Sequence, residues 1–265
     1  MESTTAHESL LLLGRDHAHF GHVHVASTPD RRVAAAISVG LDPTVPSMRS
    51  KGDLRHPNED ALVVLEDGPR TLVAVADAHW GLESSHDLVL GVRDRTTRIP
   101  DRLSGLQELF RGLCVDEPPV TRSRSAVALA VIDREALRGF GLSAGDVSVV
   151  TVDDTAARRH TVPSPVYVAP RDPRSMDPAL ARPFQFELSL AQRVLVFSDG
   201  IDECHYRSPS TSIGSHHIHE LFLRVGPAPE TFTAALAHLA LEGVDGNPGG
   251  EDNLALVTVA IEPSR

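Results

Sequence analysis

Aromatic side chains are scarce in this 265-residue chain, at 4% of the residues, with a single Trp and two Tyr. Val, Leu and Ala must therefore fill any core, and an apolar content of 41% is ordinary for a globular protein that has one. Cysteine is nearly missing. Cys114 and Cys204 are the only two, without CxxC spacing, which argues against a disulfide framework and against a structural zinc site. No stretch approaches the roughly 20 apolar residues that a membrane helix needs. The run from Leu10 to Leu13 is too short, and its setting between Glu2, Glu8 and Arg15 too acidic at the start, for a signal peptide. An excess of positive charge is also lacking. The net charge is −11, which disfavours a surface for nucleic acid or anionic membrane. The expectation is a soluble, cytoplasmic monomer with no nucleic-acid or membrane partner.

What the chain does have is a recurring acid at the edge of an apolar strand. Asn58-Glu59-Asp60 precedes Ala61–Leu65, and Leu72–Ala76 runs into Asp77. Val194–Phe197 runs into Ser198-Asp199-Gly200, and Glu251-Asp252-Asn253 precedes Leu254–Val257. Four such placements suggest strands that converge on one acidic point. Two carboxylates about 4 Å apart repel by roughly 4 kcal/mol at an effective dielectric near 20, so the cluster requires bound cations or shared protons. Oxygen ligands alone select hard ions, Mg²⁺ or Mn²⁺, over zinc or copper. Two such ions can bridge a water, lower its pKa and clamp a phosphoryl group. There is no Ser in a G-x-S-x-G elbow, so a metal-bound hydroxide is the natural nucleophile.

Apolar spacing gives the order of elements. Residues before Val33 are rich in His (His17, His19, His22, His24) and read as an extension, 1–32, ahead of one domain, 33–265. Val33–Val39 reads as a strand, followed by a Pro-broken loop from Leu41 to Lys51. Ala61–Leu65 and Leu72–Ala76, joined by Glu66-Asp67-Gly68-Pro69, predict an antiparallel hairpin. Helical spacing covers Leu82–Val92 and Leu103–Cys114. Strands follow at Ala126–Ile132 and Val147–Val152, linked by the Gly-rich stretch Arg138–Gly141, and at Phe184–Leu188 and Val194–Phe197 after a Pro-laden loop. Ile218–Val225 and Thr231–Leu241 read as helices, the second stopped by Gly243. Leu254–Ile261 is the closing strand. Short turns between strands favour antiparallel sheets.

Five motifs in order carry a family resemblance. Arg55-His56-Pro57-Asn58-Glu59-Asp60, Asp77-Ala78-His79-Trp80-Gly81, Gly145-Asp146, Ser198-Asp199-Gly200 and Glu251-Asp252-Asn253 resemble the metal-dependent serine/threonine protein phosphatases of the PP2C (PPM) family, from about Ile37 to Ile261. The resemblance implies an α+β fold, a four-layer α-β-β-α sandwich of two antiparallel sheets flanked by helices. It implies two Mn²⁺ or Mg²⁺ ions, with a third site formed by Asp146 and Asp199, and a phosphorylated protein as substrate. It further implies that Asp77 bridges the two metals, the Ala78 carbonyl binds the second, Asp199 and Asp252 hold the first, and Glu59 reaches a metal through water. By the same resemblance Asp60 orients the attacking water, Arg55 grips the substrate phosphate, and His79 protonates the departing oxygen.

Three departures stand out from that pattern. Ala78 and Trp80 replace residues that are usually Gly, and a left-handed backbone at position 78 would cost Ala energy that Gly avoids. Arg122-Ser123-Arg124-Ser125 stands where a small Gly/Ser/Thr run is usual. A non-catalytic phosphoprotein-binding module on the same fold is the main rival reading, and a hydrolase of small phosphoesters the other. Alternate spacing would put His17 with His19, and His22 with His24, on one strand face each. Those histidines, and His216, His217 and His219, read as surface rather than as metal ligands.

Overall fold

Alternating side chains build two sheets around a shared interior. The computed structural model describes residues 7–44, 47–52, 55–115 and 122–262, so parts of the expected extension (1–6) and of the expected Leu41–Lys51 loop (45–46) lie outside the described residues. The strands are β1 (His7–Leu13), β2 (His24–Ser27), β3 (Val33–Ser38), β4 (Asp60–Asp67), β5 (Arg70–His79), β6 (Arg124–Asp133), β7 (Arg138–Ala144), β8 (Ser148–Val152), β9 (Ala157–Arg159), β10 (Arg182–Glu187), β11 (Arg193–Phe197) and β12 (Leu254–Ala260). The helices are α1 (Glu83–Arg95), α2 (Leu103–Gly112), α3 (Asp199–Asp202), α4 (Ser215–Val225) and α5 (Pro229–Glu242). One sheet has the order β1-β4-β5-β6-β7-β10 and the other β2-β3-β12-β11-β8-β9. Every strand pairing in both is antiparallel.

The period of two decides which side chain faces which layer. Leu62 and Val64 of β4, Val73 and Val75 of β5, and Ala255, Val257 and Val259 of β12 meet in the interior between the sheets. Their neighbours point outward. Ala61, Val63, Leu72 and Ala74 pack under Leu88, Val92, Leu106 and Phe110 of α1 and α2. Leu195, Phe197, Leu254 and Leu256 pack under Ile218, Leu221, Phe232 and Leu236 of α4 and α5. The result is the expected four-layer α-β-β-α sandwich. Small Ala and Val on β3, β6 and β12 let the two sheets approach, which explains how so few aromatic rings suffice. No helix among the described residues is long and apolar enough to cross a membrane.

Three local expectations give way. The stretch Arg138–Gly141 is the start of strand β7 rather than a link. Gly139 and Gly141 lie directly opposite Phe186 and Phe184 of β10, and a Cβ on either glycine would sit 2.2 Å from the facing ring. The rings cover the glycines, so strand pairing survives low β-propensity. Second, His17 and His19 lie in a loop rather than on a strand, and only His24 enters one, at the start of β2. Third, the boundary expected at residue 32 falls inside the β2–β3 hairpin, and residues before it supply an edge strand to each sheet.

Candidate metal centre

The interior-facing rows carry acids to one end of the sandwich. Asp60 continues the row of Leu62 and Val64, Asp77 the row of Val73 and Val75, and the two aspartates lie directly opposite in the β4–β5 register. Asp199 follows β11 as the first residue of α3, and Asp146 sits in the turn between β7 and β8. Carboxylate oxygens of Asp77, Asp146 and Asp199 all come within 4.8 Å of one another. Asp77 and Asp199 are buried, at 2% and 7% exposure. Burial first, then neighbouring carboxylates, push both carboxyls well above the usual range: Asp60, Asp252 and Asp146 act on Asp77 against an opposing Lys51, and Asp77, Asp252 and Asp146 act on Asp199.

The surroundings fix these acids in place. Ser198 Oγ donates to Asp60 Oδ2 at 2.6 Å and accepts from the Ala255 N–H at 2.8 Å, so one hydroxyl ties β4 to β12 across the interior. Asn253 accepts from the Glu59 N–H at 2.9 Å and donates to the Val39 carbonyl at 3.1 Å. Gly200 must be glycine because a Cβ there would lie 1.8 Å from the Asn253 carbonyl oxygen. Glu59 is only 1% exposed, and its Oε1 accepts from the N–H groups of Gly52 and Gly81, at 2.7 and 2.6 Å. Glu251 turns away to pair with Arg207 and is not part of the cluster.

Four carboxylate oxygens of this cluster, Glu59 Oε2, Asp60 Oδ1, Asp77 Oδ2 and Asp146 Oδ1, are buried without a hydrogen-bond partner among the described residues. Orphaned buried acceptors of one charge are costly, and a hard cation with oxygen preference satisfies them. The donor set therefore fits Mg²⁺ or Mn²⁺. One positive group is already nearby. Lys51 Nζ lies 3.0 Å from Asp252 Oδ1 and 3.9 Å from Glu59 Oε2, with its side chain 4% exposed. Burial alone would lower its pKa, but Asp252, then Asp77, Glu59 and Asp60, outweigh burial and hold the ammonium above its ordinary value.

His79 ends β5 with its ring 5.1 Å from Tyr167 and 5.8 Å from Trp80, centroid to centroid. Tyr167 Oη in turn donates to Asp146 Oδ2 at 3.1 Å. Burial, then Lys51, push the His79 imidazole below its ordinary value and favour the neutral ring. Ala78 is buried in β5 and is not left-handed; that conformation falls on Trp80, at φ 61°. The steric cost expected at position 78 is thus borne by Trp80, where the backbone must leave the strand. Trp80 is 53% exposed and, with Arg122, Arg124 and Arg171, lines a cleft of about 840 Å³. Ser123 and Ser125 of the unusual Arg-Ser-Arg-Ser run form a buried hydroxyl chain with Ser84 at 2.7 Å each. Arg55 is exposed in the turn preceding Asn58.

Sequence reasoning missed Lys51, Tyr167 and Glu203. The last faces the same cluster, its carboxyl pushed up by burial and then by Asp146 and Asp252. Only Lys51 carried a usable signal: it is the sole lysine among 25 basic side chains. Elsewhere, His216, His217 and Asp245 also bring ligand atoms within 4.8 Å of one another, with His217 Nε2 3.0 Å from Asp245 Oδ2. His17 stacks on His24 with ring centroids 4.4 Å apart.

No protein-family model matches the chain. No curated relative matches it either. Solved structures do. A bacterial serine phosphatase superposes with a TM-score of 0.65 at 14% identity, over 93% of this chain and all of the other (100%). The catalytic domain of the serine/threonine protein phosphatase PstP, solved with two manganese ions, gives 0.63 at 17% identity over 91% and 100%. The SiaA PP2C domain of Pseudomonas aeruginosa gives 0.56 at 13% identity over 87% and 86%. The fold of this chain is that of PP2C-type serine/threonine phosphatases.

Proposed function

Given that fold, we propose that the chain is a metal-dependent protein phosphatase that hydrolyses phosphoserine or phosphothreonine. The observation that carries the reading is the meeting of Asp77, Asp146 and Asp199, from three separate segments, beside buried carboxylate oxygens that lack partners among the described residues. Asp77, the Ala78 carbonyl, Asp199 and Asp252 would hold two hard divalent cations, with Glu59 reaching one through water and Asp146 and Asp199 forming a third site. Bound there, such ions supply Lewis-acid activation of solvent and neutralise phosphate charge.

The chain's own groups do the rest. Asp60 Oδ1 has no partner among the described residues while Ser198 fixes Oδ2, which leaves one oxygen to orient an attacking water. Arg55 presents a planar guanidinium suited to phosphate oxygens. His79 would hand a proton to the departing seryl or threonyl oxygen from its imidazolium form, which burial and Lys51 oppose and which Asp146 and Asp252 favour. Water attacks phosphorus directly, the phosphorus–oxygen ester bond breaks, and no covalent phosphoenzyme forms.

A phosphoprotein-binding module without turnover is the second reading, favoured by the Lys51 ammonium among the acids and by Trp80 in the cleft. Phosphate release from a phosphothreonine peptide, with and without Mn²⁺, separates the two. Release that requires Mn²⁺ and falls by at least about 100-fold in Asp199→Asn supports the phosphatase. Tight Mn²⁺ binding with no release supports the binding module, and faster release from a small aryl phosphate than from the peptide points to a small-ester hydrolase.

A further inference from the structure

Lys51 is the feature of the centre that the phosphatase reading does not use. Its ammonium is buried against Asp252 and Glu59, which that reading assigns to cations, and no other lysine exists in the chain. The segment that carries it is tied to the same acids. The Gly52 N–H donates to Glu59 Oε1, and Ser47 Oγ donates to the Glu251 carbonyl, next to Asp252. Lys51 is therefore held over the acids by hydrogen bonds on both sides, from the Gly52 backbone and the Ser47 hydroxyl, and its side chain is 4% exposed. A buried ammonium persists only where opposite charge compensates it, and here the compensating charges are the carboxylates that a divalent cation would take. Asp252 Oδ1 already accepts from the Asn253 N–H at 2.8 Å and faces the ammonium at 3.0 Å, so a divalent cation ligated there would meet a like charge within a few ångströms.

We infer that Lys51 is a built-in counter-cation that occupies the acidic centre when metal is absent and is expelled when metal binds. The metal-free protein is then held together by a tethered charge, and metal affinity is lowered by the competition. The inference rests on the reading of these acids as cation ligands.

The test uses the full chain. Mn²⁺ affinity, measured by calorimetry, should tighten by roughly 10- to 100-fold in Lys51→Met and Lys51→Gln. Lys51→Arg, which keeps the charge, should stay within about threefold of the parent. A second measurement needs no variant. Acylation of the Lys51 amine by a succinimidyl ester, followed by mass spectrometry of the Lys51 peptide, should be at least about tenfold faster with saturating Mn²⁺ than with chelator. Unchanged Mn²⁺ affinity in Lys51→Met together with unchanged acylation would overturn the inference while leaving the cation site intact. So would weaker Mn²⁺ binding in Lys51→Met, which would make Lys51 a support for the ligands and not a competitor. Absence of Mn²⁺ binding in the parent and in every variant would overturn the inference and the underlying reading together. Binding restored only in the Met and Gln variants would support both.

Discussion

His86 on α1 shows how one side chain can set a pH response away from the acidic centre. It is 3% exposed; Nδ1 lies 2.8 Å from the Leu82 carbonyl oxygen, and Nε2 has no hydrogen-bond partner among the described residues. Burial chiefly pushes its pKa down to about 4; the Leu82 carbonyl, Asp16 and Asp87 oppose this, and Arg15 adds to it. Below its unfolded value of about 6.5, the unfolded chain takes up a proton that the folded ring refuses. Stability therefore falls as pH drops from about 6.5 to about 4. In urea unfolding at about pH 7.5 and pH 5, the parent should lose about 2 kcal/mol more than His86→Phe. Equal losses would show that the ring contributes nothing to acid sensitivity. At this scale the sequence was legible where a side chain's role follows from its place on a strand. Asp60, Asp77 and Asp199 were visible because each stands at the edge of an apolar run that reads as a strand. Lys51 was not, since nothing local marks a loop lysine as buried and its partners come from the start of β4 and the approach to β12.

Strand pairing explains which elements could be read in advance. The hairpin β4–β5, both helix pairs and the closing strand follow from apolar periodicity and turn residues, and they stand where expected. β7 was hidden because Gly139 and Gly141 look like loop, while their stability comes from rings on β10, over forty residues later in the chain. β1 and β9 are edge strands, which expose one side and carry weak patterns. The β7–β10 contact makes a paired prediction. The three nearest atoms to a Cβ at position 139 all belong to the Phe186 ring, so Gly139→Ala should cost about 2 kcal/mol and Phe186→Leu should recover part of it. At position 141 the backbone oxygen of Leu129 lies equally close, at 2.2 Å. Gly141→Ala should therefore cost more and gain nothing from Phe184→Leu. Chemical denaturation of the four variants and two double variants checks both statements, and rescue at 141 would refute the distinction.

For the molecule as a whole, the proposed function makes the acidic end a trade of metal-free stability for a cation site. Removing one charge from the cluster relieves repulsion, so Asp77→Asn without metal should melt roughly 2 to 6 °C above the parent. Saturating Mn²⁺ should raise the parent's melting temperature and leave Asp77→Asn nearly unmoved, as ligand linkage requires. Scanning calorimetry with chelator and with Mn²⁺ reads both, and a metal-free variant that melts lower than the parent would contradict the account. The sheet order has one more effect. β12 lies between β3 and β11 although it comes last among the described strands, whereas every described strand of the other sheet precedes Ser189. During synthesis one half of the sandwich can therefore assemble while its counterpart waits as two separate groups of strands, β2–β3 and β8–β9–β11, with open edges. Only when β12 has been made and slides between them does Asp252 reach the acidic end, so the cluster closes after every other described strand of both sheets already exists.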